Sequence, residues 1–180
     1  VGEAARDGCE LMILWATNLV STGVHSIPFI REAKDRGMKL VVVDPRKTRT
    51  TMFADVHIQP KPGTDAFLAN AMMKVIVDKN LHDVDFLNEQ TLGWEEFVEK
   101  ILPKYTLEEA EKITGVKAQD IEDLAVEYAN TKKSYVRANY GLNRHQNSGQ
   151  MCRAVLILPC FNGSWREETG GVAFGQLEEM

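Results

Sequence analysis

The sequence predicts a three-layer αβα fold of the α/β class, a Rossmann-like parallel sheet with flanking helices. Two continuous apolar runs, "LMILW" from Leu11 and "KLVVVD" from Lys39, read as strands buried on both faces. Between them "SIPFIREAKDRG" spaces its charges along one side, admits Pro28 in its opening turn and stops on Gly37, the pattern of a helix that Ser26 could cap. Strand, helix and strand with short connections imply parallel neighbours.

The remaining elements follow in order. "DVHIQP" is a weaker third strand, and "TDAFLANAMMKVIVDKN" places Phe67, Leu68, Ala71, Met72, Val75 and Ile76 at helical spacing. Residues 81–131 read as a helical insert. Its pieces "VDFLNEQ" and "WEEFVEKIL" break at Gly93 and Pro103, Thr106 and Glu109 form a capping pattern, and "KAQDIEDLAVEYANTKK" is amphipathic. "SYVRANYG" restores a strand, and "SGQMCRAVLILPCFNG" is a buried helix that ends at Gly163 and carries Pro159 as a potential kink. Beyond it "SWREETGGVAFGQLEEM" has no clear period, so 164–180 are expected to begin the next segment of a longer parent. Residues 1–180 otherwise make one domain, which matches their length.

Composition narrows the function. An apolar content of 44% fits an ordinary soluble domain, and "LMILW" and "AVLIL" are far shorter than the roughly 20 residues of a bilayer span, so no direct membrane insertion is expected. A formal charge of -5 argues against general nucleic-acid binding, which depends on a broad positive field. Cys9, Cys152 and Cys160 lack CxxC spacing, and the last two read as small core residues. The chain opens "VGEAARDGCE", with neither an initiating methionine nor a secretion signal, and is expected to be a piece of a larger protein. The parent's location in cytoplasm or periplasm stays open.

In an open parallel sheet, ligands bind beyond the carboxyl ends of the strands. The loops there are "ATNLVSTG", "DPRKTRT", "KPGTD" and "YGLNRHQNSGQ", rich in hydroxyls, amides, glycine and charge. Asp44 could accept two ribose hydroxyls while Arg46, Lys47 and Arg49 neutralise a pyrophosphate; it could equally cap a turn before Pro45. Asp65 after Gly63 and Thr64 could accept the edge N–H groups of a guanine, although position alone favours a helix cap. Thr17, Asn18, Ser21 and Thr22 could bind phosphate or a pterin-like heterocycle, or satisfy turn backbone. His25, His57, His82 and His145 have no partner at helical metal-ligand spacing, so no metal held by the protein is expected. His145 is kept as a candidate because it lies beside Asn143, Arg144 and Asn147.

Taken together, "LWATN", "REAKDRGMKLVVVDPRKT", "ADVHIQPKPGTDAFLANAM", "ITGVKAQDIEDLA" and "YGLNRHQNSGQMCRAVLILPCFNG" resemble, in the same order, the molybdopterin oxidoreductases of the dimethyl sulfoxide reductase family. The resemblance covers nearly the whole chain, and it implies a domain gripping one of two molybdopterin guanine dinucleotides that carry molybdenum or tungsten. By position, Trp15, Ala16, Thr17 and Asn18 would approach the cofactor's phosphates and pterin. Asp44, Pro45, Arg46, Lys47 and Thr48 would hold the guanosine ribose and phosphate, and Gly63, Thr64 and Asp65 would read the guanine. Tyr140, Gly141 and Arg144 would face the pterin and metal centre, with Arg144 and His145 the candidates for a catalytic part. Arg144 stands where many members have glutamine, and "SWREETGG" replaces a commoner glycine-rich turn, departures that bear on substrate.

The family's iron–sulfur cysteine cluster and its metal-ligating residue are not in these residues and would belong to the missing part of the parent, so the piece alone is expected to be inactive. Its partners would be the remaining domains of the parent and an iron–sulfur electron-transfer subunit, with the helical insert as a docking surface. The alternative is a stand-alone nucleotide-binding domain like the central domain of thiamine-diphosphate enzymes, which explains Asp44 but not "PGTD" together with "NRHQNSG".

Overall fold

A computed structural model describes residues 1–175. It contains β1 (Leu11–Trp15), β2 (Lys39–Val43), β3 (Val56–Ile58), β4 (Ser134–Ala138) and β5 (Gly171–Phe174), ordered β3-β2-β1-β4-β5 with every pairing parallel. The helices are α1 (Gly2–Arg6), α2 (Leu19–Thr22), α3 (Ile27–Asp35), α4 (Asp65–Asp78), α5 (Val84–Gln90), α6 (Trp94–Lys100), α7 (Leu107–Thr114), α8 (Ala118–Asn130) and α9 (Ser148–Asn162).

Alternation along the strands builds the three layers. Leu11, Ile13 and Trp15 share one core with Val41, Val43 and Val136, closed by Leu68, Met72 and Ile76 of α4, Ile121 and Tyr128 of α8, and Val155 and Leu158 of α9. Met12, Leu14, Leu40 and Val42 point the other way and pack with Ala5 of α1 and Ile30 and Ala33 of α3. Each large apolar side chain fully buried in this way contributes about 1.5–3 kcal/mol. Two-sided burial explains why β1 and β2 read as continuous apolar runs, since neither face of the central strands meets water.

The structure departs from the sequence reading in several places. Ser26 makes no capping bond; α3 starts instead with Pro28 in its first turn. Thr106 does cap α7, its hydroxyl oxygen accepting from the Glu109 N–H at 3.3 Å. The helices α1 and α2, of five and four residues, are too short to show a period. Cys152 and Cys160 are half-buried, so only Cys9 among the cysteines is a true core residue.

The largest of these departures lies after Gly163. Gly171–Phe174, where the sequence shows no clear period, form β5, paired in register with Tyr135 to Ala138. An edge strand of four mostly half-buried residues has no continuous apolar run to betray it. Its approach is set by Gly170, where a Cβ would lie 1.8 Å from the Ser164 carbonyl oxygen. Residues 176–180 lie outside the described residues. Among those described, no helix is long and apolar enough to cross a membrane.

Candidate functional site

Because all strands run parallel, the loops after β1, β2, β3 and β4 leave the sheet at one edge, and the strand order reverses between β1 and β4. Direct contacts join these loops. The Asn139 side-chain amide donates to the Thr17 hydroxyl at 3.1 Å. Gly141 lies so close to the first loop that an added Cβ would sit 2.8 Å from the Ala16 Cβ, and Ala16 itself adopts a left-handed φ of 53°. The Thr50 hydroxyl donates to Asn18 Oδ1 at 2.8 Å and ties the first loop to the second. The second loop is held by β3 and the residue after it: His57 Nε2 lies 2.9 Å from the Asp44 carbonyl oxygen, and Gln59 donates to the Pro45 carbonyl at 3.3 Å. Third and fourth loops meet where the His145 ring lies about 3.5 Å from where a Gly63 Cβ would be. The loops therefore lie side by side at one edge of the sheet.

Asp65 lies among them, as the first residue of α4. It is only 6% exposed, and its Oδ1 accepts the Trp15 indole N–H at 2.8 Å. Burial pushes its carboxyl above the usual carboxylate range; the Trp15 N–H, its own backbone N–H and His145 oppose that shift, and the nearby Asp44 adds to it. Among the described residues no Lys or Arg forms an ion pair with Asp65.

The other expected residues divide into walls and supports. Asp44 is half-buried and accepts the Arg46 N–H at 2.8 Å through one oxygen, so the turn-capping role is present. Pro45, Arg46 and Lys47 are exposed, and Thr48 carries a buried hydroxyl with no hydrogen-bond partner among the described residues. Gly63, Gly141 and Arg144 are exposed, while Thr64, Tyr140 and His145 are half-buried. The Thr64 hydroxyl donates to the Lys61 carbonyl at 2.7 Å instead of capping α4, and Tyr140 meets Phe174 edge-on at 5.9 Å. Trp15 and Thr17 are buried; Trp15 donates to Asp65, and Thr17 accepts from the Asn139 amide. Asn18 is half-buried and occupied with Thr50 and Ser21.

Sequence reasoning missed Asn139, Thr50 and Cys152, which brace the loops. Asn139 bonds Thr17 and also accepts the Tyr140 N–H at 2.8 Å, and the Cys152 thiol donates to Asn143 Oδ1 at 2.9 Å. Only their position beside strand or helix ends could have signalled them. Among the described residues no group of three His, Cys, Asp or Glu side chains could hold a metal ion.

The family described as "Molybdopterin oxidoreductase" matches residues 7–177. The chain is 40% identical over 162 residues to the probable oxidoreductase YoaE of Bacillus subtilis (strain 168), covering 90% of this chain and 24% of that protein. It is 33% identical over 166 residues to formate dehydrogenase H of Escherichia coli (strain K12), covering 92% of this chain and 23% of that one. Acetylene hydratase from Pelobacter acetylenicus superimposes with a TM-score of 0.81 at 28% identity, covering 89% of this chain and 22% of that structure. The chain thus spans about a quarter of the length of the relatives it matches. The stand-alone nucleotide-binding alternative gains nothing from these similarities. A family match across almost every residue, agreeing with the fold and with the order of the loops, means that this chain belongs to the molybdopterin oxidoreductase family.

Proposed function

We propose that the chain supplies one side of the site for a molybdopterin guanine dinucleotide in a molybdenum or tungsten oxidoreductase. The observation that carries this reading is a buried carboxylate with no ion-pair partner among the described residues, Asp65, at the edge of the sheet where the loops carrying the exposed cations Arg46, Lys47 and Arg144 gather. The residues suit such a group: Asp65 offers acceptors for N–H donors, the Thr48 hydroxyl is buried without a partner, and Arg46, Lys47 and Arg144 make no ion pair among the described residues. Gly63, Thr64 and Asp65 would read the guanine, and Asp44 with Pro45, Arg46, Lys47 and Thr48 would hold ribose and phosphate. Ala16 and Asn18, supported from below by Trp15 and Thr17, would border the phosphates and pterin. Tyr140, Gly141 and Arg144 would face the pterin and metal, with His145 beside them.

When bound, the pterin-held metal supplies the redox chemistry, and this chain binds, orients and sets the local charge. The catalytic parent would include further domains and an iron–sulfur electron-transfer subunit, with the family's iron–sulfur cluster outside these residues. Nucleotide titration followed by amide NMR tests the binding half of this reading. Guanosine diphosphate at millimolar concentration is expected to shift the amides of 44–48 and 63–65 more than adenosine diphosphate does, and Asp65→Asn should cut the preference about tenfold. Equal or larger shifts with the adenine nucleotide, or no shift in these loops, would overturn it.

A further inference from the structure

We infer that Trp15 is a positioning residue for Asp65: from the end of β1 its indole N–H grips one carboxylate oxygen and fixes how the buried carboxylate is presented. A buried indole N–H needs an acceptor, and a nearby backbone carbonyl would normally serve without burying a charge. Here the acceptor is a carboxylate 50 positions away in sequence, with both residues withdrawn from water. Burying an unpaired carboxylate is costly. A purely structural hydrogen bond gives no reason to accept that cost, whereas a carboxylate held for a ligand does.

The surroundings leave Trp15 as the main rigid support. The titratable groups around Asp65 are His145 on the fourth loop, Asp44 on the second and Cys152 on α9. Asp44 works against the charge, and His145 favours it only from a half-buried loop position. Trp15 is fully buried and locked between β2 and β4, so its donor cannot swing away. A carboxylate has about four acceptor positions. One is used by Trp15, and the backbone N–H of Asp65 also favours the charge; between them they aim the rest. What a ligand would find there rests on the reading above, but the coupling between the two residues does not.

The test therefore needs no ligand. Of the three tryptophans, Trp94 donates to Asn88, so the indole signal of Trp15 can be assigned by its loss in Trp15→Phe. In the intact chain the Trp15 indole 15N–1H resonance should titrate together with the Asp65 carboxyl 13C. Trp15→Phe should raise the Asp65 midpoint by about one pH unit, a tenfold gain in proton affinity. Should that variant not fold, Asp65→Asn keeps the indole and should shift its resonance at neutral pH and abolish its titration. His145→Gln should leave the titration in place. An indole signal indifferent to Asp65, an unchanged midpoint in Trp15→Phe, or a titration that vanishes with His145 would overturn the inference. None of these outcomes depends on whether guanosine diphosphate binds.

Discussion

At the scale of single residues, the loops at the sheet edge are held together because a side chain is missing in one place and buried in another. Gly141 has room for no Cβ: the added atom would fall 2.8 Å from the Ala16 Cβ and 2.9 Å from its carbonyl oxygen. Ala16 already holds a left-handed φ and its N–H is bonded to the Val43 carbonyl at 2.8 Å, so the first loop has little freedom to retreat. Gly141→Ala is expected to cost about 1–3 kcal/mol by overpacking, read as a lower midpoint in urea unfolding with an unchanged slope. A variant as stable as the parent chain would show that the loops separate easily. Asp65 and Trp15 illustrate the opposite device, in which a polar pair is buried so that its charge has one orientation.

At the scale of elements, caps and cross-links decide how the helices after α4 are held. The Asp83 side chain caps α5 by accepting the Phe86 N–H at 2.9 Å, and it faces Arg166 at 3.5 Å, joining α5 to the turn after α9. Burial alone would raise its pKa, but the Phe86 N–H and the charges of Arg166 and Lys132 together hold it below the usual carboxylate range. A carboxyl depressed in the folded state stabilises the fold above its unfolded pKa, near 4, and this stabilisation is lost as pH falls through the lower folded value. Asp83→Ala should therefore cost about 1 kcal/mol at pH 7, with the gap to the parent chain narrowing in acid. Thermal unfolding at several pH values measures this, and a gap that is constant with pH would remove the electrostatic part.

For the whole molecule, the sheet predicts a gradient of stability. β1 is paired on both sides and buried on both faces, whereas β5 pairs only with β4 and is mostly half-buried. Amides of Met12 to Trp15 should exchange only on global unfolding, and those of β5 at least about tenfold faster, as hydrogen-exchange mass spectrometry would report. Equal protection would mean that β5 is held more firmly than its single pairing implies. By itself the sequence determined the central strands, the long helices and the polar loops at their ends. Continuous apolar runs, helical spacing and turn residues are local signals, and the resemblance in "DPRKT" and "PGTD" pointed to Asp44 and Asp65. Only the tertiary structure decided that β5 closes the sheet edge, that Asn139 and Gly141 lock the fourth loop onto the first, and that Trp15 lies beneath the site holding Asp65. Those features join residues far apart in the chain, and the distance between such residues is set by how strands and helices pack, which no local pattern encodes.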